Sequence, residues 1–443
     1  MAKRTVSGVT SLLRQRPGFR RLFTAELISQ AGDWMSLVAV SVFALQRGDG
    51  ALALALTLLL HTLPSVLAAP FGGWLADRVD RRPLLVAVAV LSAILTLAMA
   101  LSTLDDGGGM AVIWLLLLVR SAVAAIAGPA TTAAMPALLA DDELPLGQTL
   151  LGTCWSLVFT LGMALGGLVA GVDVGLALAL DAASFAFAAA LLLRLPALPP
   201  QNATSSSLAT AVLATARVGA DEGGGDVVVA LMRADVRLAV FAKTPLALAG
   251  GVGWMLLNVA GGLRLGVASA MGIGLLHAVR GIGTGVGPWF VARAVAAGAS
   301  SERLWHGAGW LTLAGIAAFS LLTSAVLGRG ADPAAVEAGG AWLAVATLVA
   351  ATLWGCGTGS NWMLSQVALQ RRAPAQALGR LAGIDVGSFE AAFCAGALAM
   401  ALGLDAGLAP VAVALSVVGV AAVAQWLLWR PLAPSPSALA SVP

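Results

Sequence analysis

In a chain of 443 residues of which only 11% are Asp, Glu, Lys or Arg, the residues able to do chemistry are the few charged ones that interrupt long apolar runs. Glu26 and Asp33 share one run, Arg120 stands in a second, Asp181 in a third, and His277 with Arg280 in a fourth. If such a run crosses a bilayer, an ionisable group inside it costs about 2.5 to 3.5 kcal/mol, so each needs a task. An Arg keeps its charge at any working pH. The task open to Arg120 is therefore to hold a nearby carboxylate ionised or to bind an anion, and Asp33 is the first partner to name. A carboxylate beside Arg stays charged, whereas one drawn away from it into an apolar setting takes up a proton. The pair would then move protons, unless it is a static ion pair that locks two helices.

The surrounding pattern extends this set. Glu26, Ser29, Gln30 and Asp33 fall within roughly 60° of Glu26 on a helix of 100° per residue, a polar stripe expected to face a central cavity. The alternative for Glu26 is pairing with arginines near the cytoplasmic rim, and both readings stay open. His277 and Arg280 are three residues apart and share a helix face, with packing as the plainer role for the His. Asp181, Asp385 and Glu390 are weaker candidates, and at Asp385 a carboxylate near a helix start suits the helix dipole. No paired nucleophile and base, metal-ligand cluster or phosphate-binding loop is present, so neither an enzyme nor a metal site is expected. Cys154, Cys356 and Cys394 lie at wide spacing in apolar runs and read as small core residues.

These residues must be positioned by membrane helices. With 59% hydrophobic residues and a mean hydropathy of +0.92, the chain has too little polar surface for a soluble globule of its length. Its apolar segments are continuous runs of about 20 residues, which makes the fold class all-α integral membrane. Twelve spans are expected: 22–45, 52–75, 84–104, 110–139, 149–171 and 175–195, then 238–263, 268–291, 304–327, 341–367, 380–402 and 408–429. The polar stretch between them divides the chain into an N-terminal six-helix half (1–195), a cytoplasmic linker (196–237), a C-terminal six-helix half (238–430) and a cytoplasmic tail (431–443). With both ends inside, the outer loops receive only Arg47, Arg264 and Arg329 of the 25 Lys and Arg, which supports that orientation. Asn202-Ala203-Thr204 fits a glycosylation pattern but falls on the cytoplasmic side. The net charge of +3 gives no reason to expect nucleic acid.

The charged knot between the second and third spans is the most specific motif. Gly73, Leu75, Asp77, Arg78, Arg81 and Arg82 resemble the Gly-x-Leu-Ala-Asp-Arg-x-Gly-Arg-Lys loop of the major facilitator superfamily, with Asp80 where that family usually has Gly. Arg16-x-x-x-Arg20 recurring as Arg233-x-x-x-Arg237, and Leu146-Gly147 as Leu378-Gly379, agree with two parallel halves. Gly162, Gly166 and Gly167 resemble the family's antiporter motif Gly-Pro-x-x-Gly-Gly, with Met163 in place of Pro, and glycines there let helices pack closely. Leu116-x-x-x-Arg120 resembles a second motif, whose Arg is tied to proton movement. Gly32-Asp33-Trp34, Gly128-Pro129-Ala130, Asp181 to Phe185, and Arg280-Gly281-Ile282-Gly283 look like the branch holding the enterobactin exporter and macrolide efflux proteins.

The resemblance implies a major facilitator fold in a bacterial inner membrane with both termini cytoplasmic. It also implies a monomer that binds a small organic, amphiphilic compound and exports it by alternating access, as a proton antiporter without a cofactor. Asp33, Glu26, Gln30, Arg120, Asp181, His277 and Arg280 would serve coupling or the substrate cavity. Gly73, Asp77, Arg78, Arg81 and Arg82 would form the conformational switch loop. Uptake or lipid flipping by the same fold, or a receptor-like protein that binds without translocating, are the alternatives.

Overall fold

The computed structural model describes residues 2–47, 50–104, 109–199, 222–263, 269–328, 333–374 and 377–430. The glycosylation-like triplet, Arg264, Arg329, much of the expected linker and the tail from 431 lie outside the described residues. The described chain is helical without strands. Its elements are α1 (Ala2–Gln15), α2 (Pro17–Arg47), α3 (Gly50–Ala76), α4 (Arg81–Ser102), α5 (Met110–Ala124), α6 (Ala127–Leu138), α7 (Leu144–Ala170) and α8 (Val174–Leu192), then α9 (Glu222–Met232), α10 (Ala234–Phe241), α11 (Thr244–Leu263), α12 (Ser269–Ala296), α13 (Ser301–Gly328), α14 (Pro333–Arg372), α15 (Leu378–Asp405) and α16 (Pro410–Trp429).

Eleven stretches of the described residues are long and apolar enough to cross a membrane. The twelfth expected span, 268–291, corresponds to α12, which at 28 residues has the length. Its glycines, His277 and Arg280 dilute its apolar character. Leu91, Ile94, Leu101 and Leu115 are exposed, an outer surface suited to lipid tails rather than water.

Two expected spans are each broken in two. The fourth divides between α5 and α6 at residues 125–126, and the seventh between α10 and α11 at 242–243. In both, a proline follows the break closely, Pro129 and Pro245. A proline has no N–H for the carbonyl four residues earlier, here Ala125 and Phe241, and its ring crowds that carbonyl. At the first break a neighbour also comes close, since a Cβ on Gly72 of α3 would stand 2.8 Å from the Ile126 Cα.

The chain forms two compact units, one of Met1–Ala216 with Leu257–Gly281, the other of Arg217–Leu256 with Ile282–Pro443. In the first, Phe19, Leu22, Leu85, Met135, Leu138, Leu192 and Leu198 close one end with an apolar cluster. In the second, Val236, Trp305, Leu369 and Leu381 form another such cluster.

The charged knot becomes a four-residue turn, 77–80, between α3 and α4. Asp80 caps α4 by accepting from the Arg82 N–H at 2.9 Å, and the same carboxylate oxygen accepts from the Leu198 N–H at 3.0 Å. Arg81 is buried and donates to the carbonyls of Ala76 (3.1 Å) and Pro199 (2.7 Å), while Arg82 donates to Leu193 O (2.6 Å). Asp80, the departure from the family pattern, thus supplies a side-chain acceptor that Gly would lack and ties the chain after α8 to the turn. Asp77 is exposed on the turn, and the Arg78 guanidinium lies 4.5 Å over the Trp74 ring.

Candidate functional site

In the first unit, α2, α3, α5 and α8 bring their ionisable residues to one place. Arg120, on the last turns of α5 before the break, forms an ion pair with Asp33 of α2 and stands 3.6 Å from Asp181 of α8. Arg120 and Asp181 are buried, whereas the Asp33 side chain is 30% exposed. Of the two carboxylates Asp33 is the more accessible, although its paired Oδ1 is enclosed. Asp181 is held instead by hydroxyls, accepting from Ser36 and, at 3.1 Å, from Ser184 one turn along its own helix. The guanidinium charge therefore sits between two carboxylates, one reachable and one sealed.

The helices can approach this closely because Gly32 has no side chain. A Cβ there would lie 2.2 Å from the Asp181 Oδ1 and 2.3 Å from the Ser184 hydroxyl. Gly162 and Gly166 of α7 do the same on another face of α2, where added Cβ atoms would stand 2.6 Å from Ala31 O and 2.9 Å from Val38 Cβ. Gly167 faces α12 instead, 2.7 Å from the Gly274 Cα on the same measure. Small residues here trade side-chain packing for backbone approach, the usual means of joining membrane helices.

Glu26 takes partners other than arginines: it accepts from Thr131 of α6 and, at 2.9 Å, from the Gln30 amide of its own helix. The polar stripe on α2 thus divides, with Glu26 and Gln30 turned toward α6 and Asp33 toward Arg120. An aromatic wall adjoins it. Trp34, Trp155 and Phe159 pack edge to face or stacked with ring centres 4.9 to 5.9 Å apart. Arg280 lies over Phe159 at 5.2 Å, His277 meets the same ring at 6.5 Å, and Ser156 donates to Gly281 O at 2.8 Å.

Three participants escaped the sequence reading. His61 of α3 places its Nε2 3.9 Å from the Asp33 Oδ2 and packs against Trp34 at 6.0 Å. Ser36 and Ser184 bind the sealed carboxylate. A polar residue in an otherwise apolar span was the available signal for His61. Ser36 stands three residues after Asp33, on the same helix face, a spacing that could have drawn it in.

The family model described as Major Facilitator Superfamily matches residues 22–389. A Bacillus subtilis (strain 168) protein described as an uncharacterized MFS-type transporter, YfiS, is 33% identical over 75 residues, 17% of this chain; the chain spans 18% of that relative's length. Among solved structures, a nucleoside transporter, NupG, aligns over 93% of this chain and 99% of its own with a TM-score of 0.70 at 12% identity. A POT family transporter, PepTSo, aligns over 94% and 98% with a TM-score of 0.68 at 12% identity. At such identities these likenesses speak to the fold.

Proposed function

Because the chain belongs to the Major Facilitator Superfamily and is a multi-pass membrane secondary transporter rather than an enzyme, we propose that it exports a small amphiphilic organic compound by alternating access, in exchange for protons. In this reading it is a monomer in a bacterial inner membrane, with both termini in the cytoplasm, no nucleic-acid partner and no cofactor besides the proton gradient. The branch holding the enterobactin exporter and macrolide efflux proteins is the part of the family it resembles.

The observation that carries the reading is the buried Arg120 between Asp33 and Asp181. Asp33 is the exchangeable carboxylate, because its side chain is the accessible one of the two. Arg120 keeps it ionised while the helices are together, and their separation leaves it to take a proton. Asp181, bound by two serine hydroxyls and adjacent to the guanidinium, keeps the Arg120 charge seated in both conditions. Glu26, Gln30, His277 and Arg280, with the Trp34, Trp155 and Phe159 rings, supply the polar and apolar surfaces an amphiphile requires.

Proteoliposomes holding a trapped pH-sensitive dye, challenged with a panel of amphiphilic dyes, test this. A transported compound should move protons across the wild-type membrane. Asp33→Asn should retain downhill exchange of that compound and lose uphill transport. Uphill transport at the wild-type rate in D33N would sink the assignment. Accumulation of the compound in whole cells would mark uptake instead, and binding without movement of compound or proton would mark a receptor.

A further inference from the structure

The second unit holds a buried ion pair of its own. Lys243 donates to the Asp385 Oδ2 at 2.6 Å, and both side chains are almost fully enclosed, at 3% and 1% exposure. Asp385 lies seven residues into α15, about 10 Å along it by helical rise. The pair is set within a span, where charge needs a task.

Its two members are mounted differently. Asp385 stands within an unbroken helix of 28 residues. Lys243 stands on the turn between α10 and α11, where Pro245 interrupts the helical hydrogen bonding. The cation is therefore carried on a break and the carboxylate on a rod. The Lys243 ammonium also lies 4.1 Å from the centre of the Trp362 ring, which offers it a second seat.

The carboxylate is only half used. Its Oδ2 receives Lys243 and, at 3.3 Å, the Gln366 amide, while its Oδ1 is buried and takes no hydrogen bond from the described residues. Among the described residues, Lys243 is the charged group that contacts Asp385. On α10, Arg237 turns to Leu231 O; on α14, Arg372 pairs with Glu302; and beyond α16, Arg430 lies over Trp426. Arg380 and Glu390, five residues before and after on the same helix, lie about 140° round from Asp385. Ser388, one turn on, donates to the Asp385 backbone carbonyl and meets the Thr244 hydroxyl.

We propose that Asp385 is a second proton-binding site, whose proton is admitted when the turn at residues 242–243 draws Lys243 away and is expelled when Lys243 returns. One proton passes from water to the carboxylate and back in each cycle, Lys243 stays protonated throughout, and no bond between heavier atoms changes. The inference rests on the reading that a proton gradient drives transport, and it adds a site in the other unit.

Infrared difference spectroscopy of the purified full-length protein in lipid tests it without knowledge of the substrate. Buffer is switched between mildly alkaline and mildly acidic, and the C=O band of protonated carboxyl groups is followed. In the wild type one component of that band should be lost in Asp385→Asn and kept in Asp33→Asn. Should D385N fail to fold with Lys243 left unpaired, the double variant K243M/D385N removes both charges and should lack the same component. Lys243→Arg retains a cation and should retain the component. A band unchanged in both D385N and the double variant would overturn the proposal, as would its absence from the wild type. Loss of a component in D33N but in neither Asp385 variant would sink this inference and leave the Asp33 assignment standing. Loss of a component in the Asp385 variants with the whole band, every component, unchanged in D33N would remove Asp33 and leave Asp385.

Discussion

The two buried charge clusters solve one problem with different chemistry. In the first unit a guanidinium stands between two carboxylates, with its charge fixed and its Nη1 facing both. In the second a single ammonium faces a single carboxylate and an indole ring. A guanidinium shared by two acids can lose one contact and remain paired. An ammonium with one acid cannot. The mounting differs too: Arg120 is borne by the last turns of α5, before its break, whereas Lys243 sits on the break between α10 and α11. The first arrangement suits a permanent electrostatic post and the second a contact that opens and closes.

The largest effect expected is from removing the post. Arg120→Met leaves Asp181 buried without its counter-charge, and losing one partner of a buried pair costs about 3–5 kcal/mol. Thermal unfolding in detergent should show that loss, with Arg120→Lys recovering part of it because the charge returns without the fork. A variant R120M as stable as the wild type would erase the distinction between the clusters.

A smaller cost is expected from Lys243→Met. While Asp385 stays ionised, losing one partner of this buried pair also costs about 3–5 kcal/mol, and Asp385 lowers the net cost by taking up a proton where it stands. The loss should therefore shrink as pH falls, and K243M/D385N should be closer to the wild type than K243M in neutral buffer. A pH-independent loss as large as that of R120M would make Lys243 a post as well.

The smallest effect lies outside the spans and calibrates the pH axis. At the start of α7 the Glu143 carboxylate accepts from the Ala140 N–H at 2.9 Å and meets the Arg16 guanidinium at 2.8 Å. The Ala140 bond first, and Arg16 after it, hold this carboxyl below its ordinary value. Stability from such a group is present above the carboxylate's ordinary pKa and is lost as pH falls through the lowered one. Glu143→Gln should cost slightly in neutral buffer and nothing in strong acid, when unfolding is followed across pH. A persistent cost in acid would mean that Glu143 acts through packing.

Hydropathy alone determined that the described chain is built of membrane-length helices, because a backbone in lipid must satisfy its hydrogen bonds within its own segment. The charged knot of Asp77 to Arg82, the glycines of α7 and the rare charges Asp33 and Arg120 were equally legible, since each interrupts an apolar background. The tertiary structure alone decided which of these meet. Spacing places Glu26 and Asp33 on one face of α2, yet only the rotation and tilt of α2 against α5, α6 and α8 turn Glu26 to Thr131 and Asp33 to Arg120. Nothing in the sequence around Lys243 sets it apart from the other basic residues, because its burial comes from α14 and α15, more than a hundred residues away in the chain. Burial is a property of neighbours. A local run of residues reports its own period and composition, and the partner across a membrane bundle is chosen by packing.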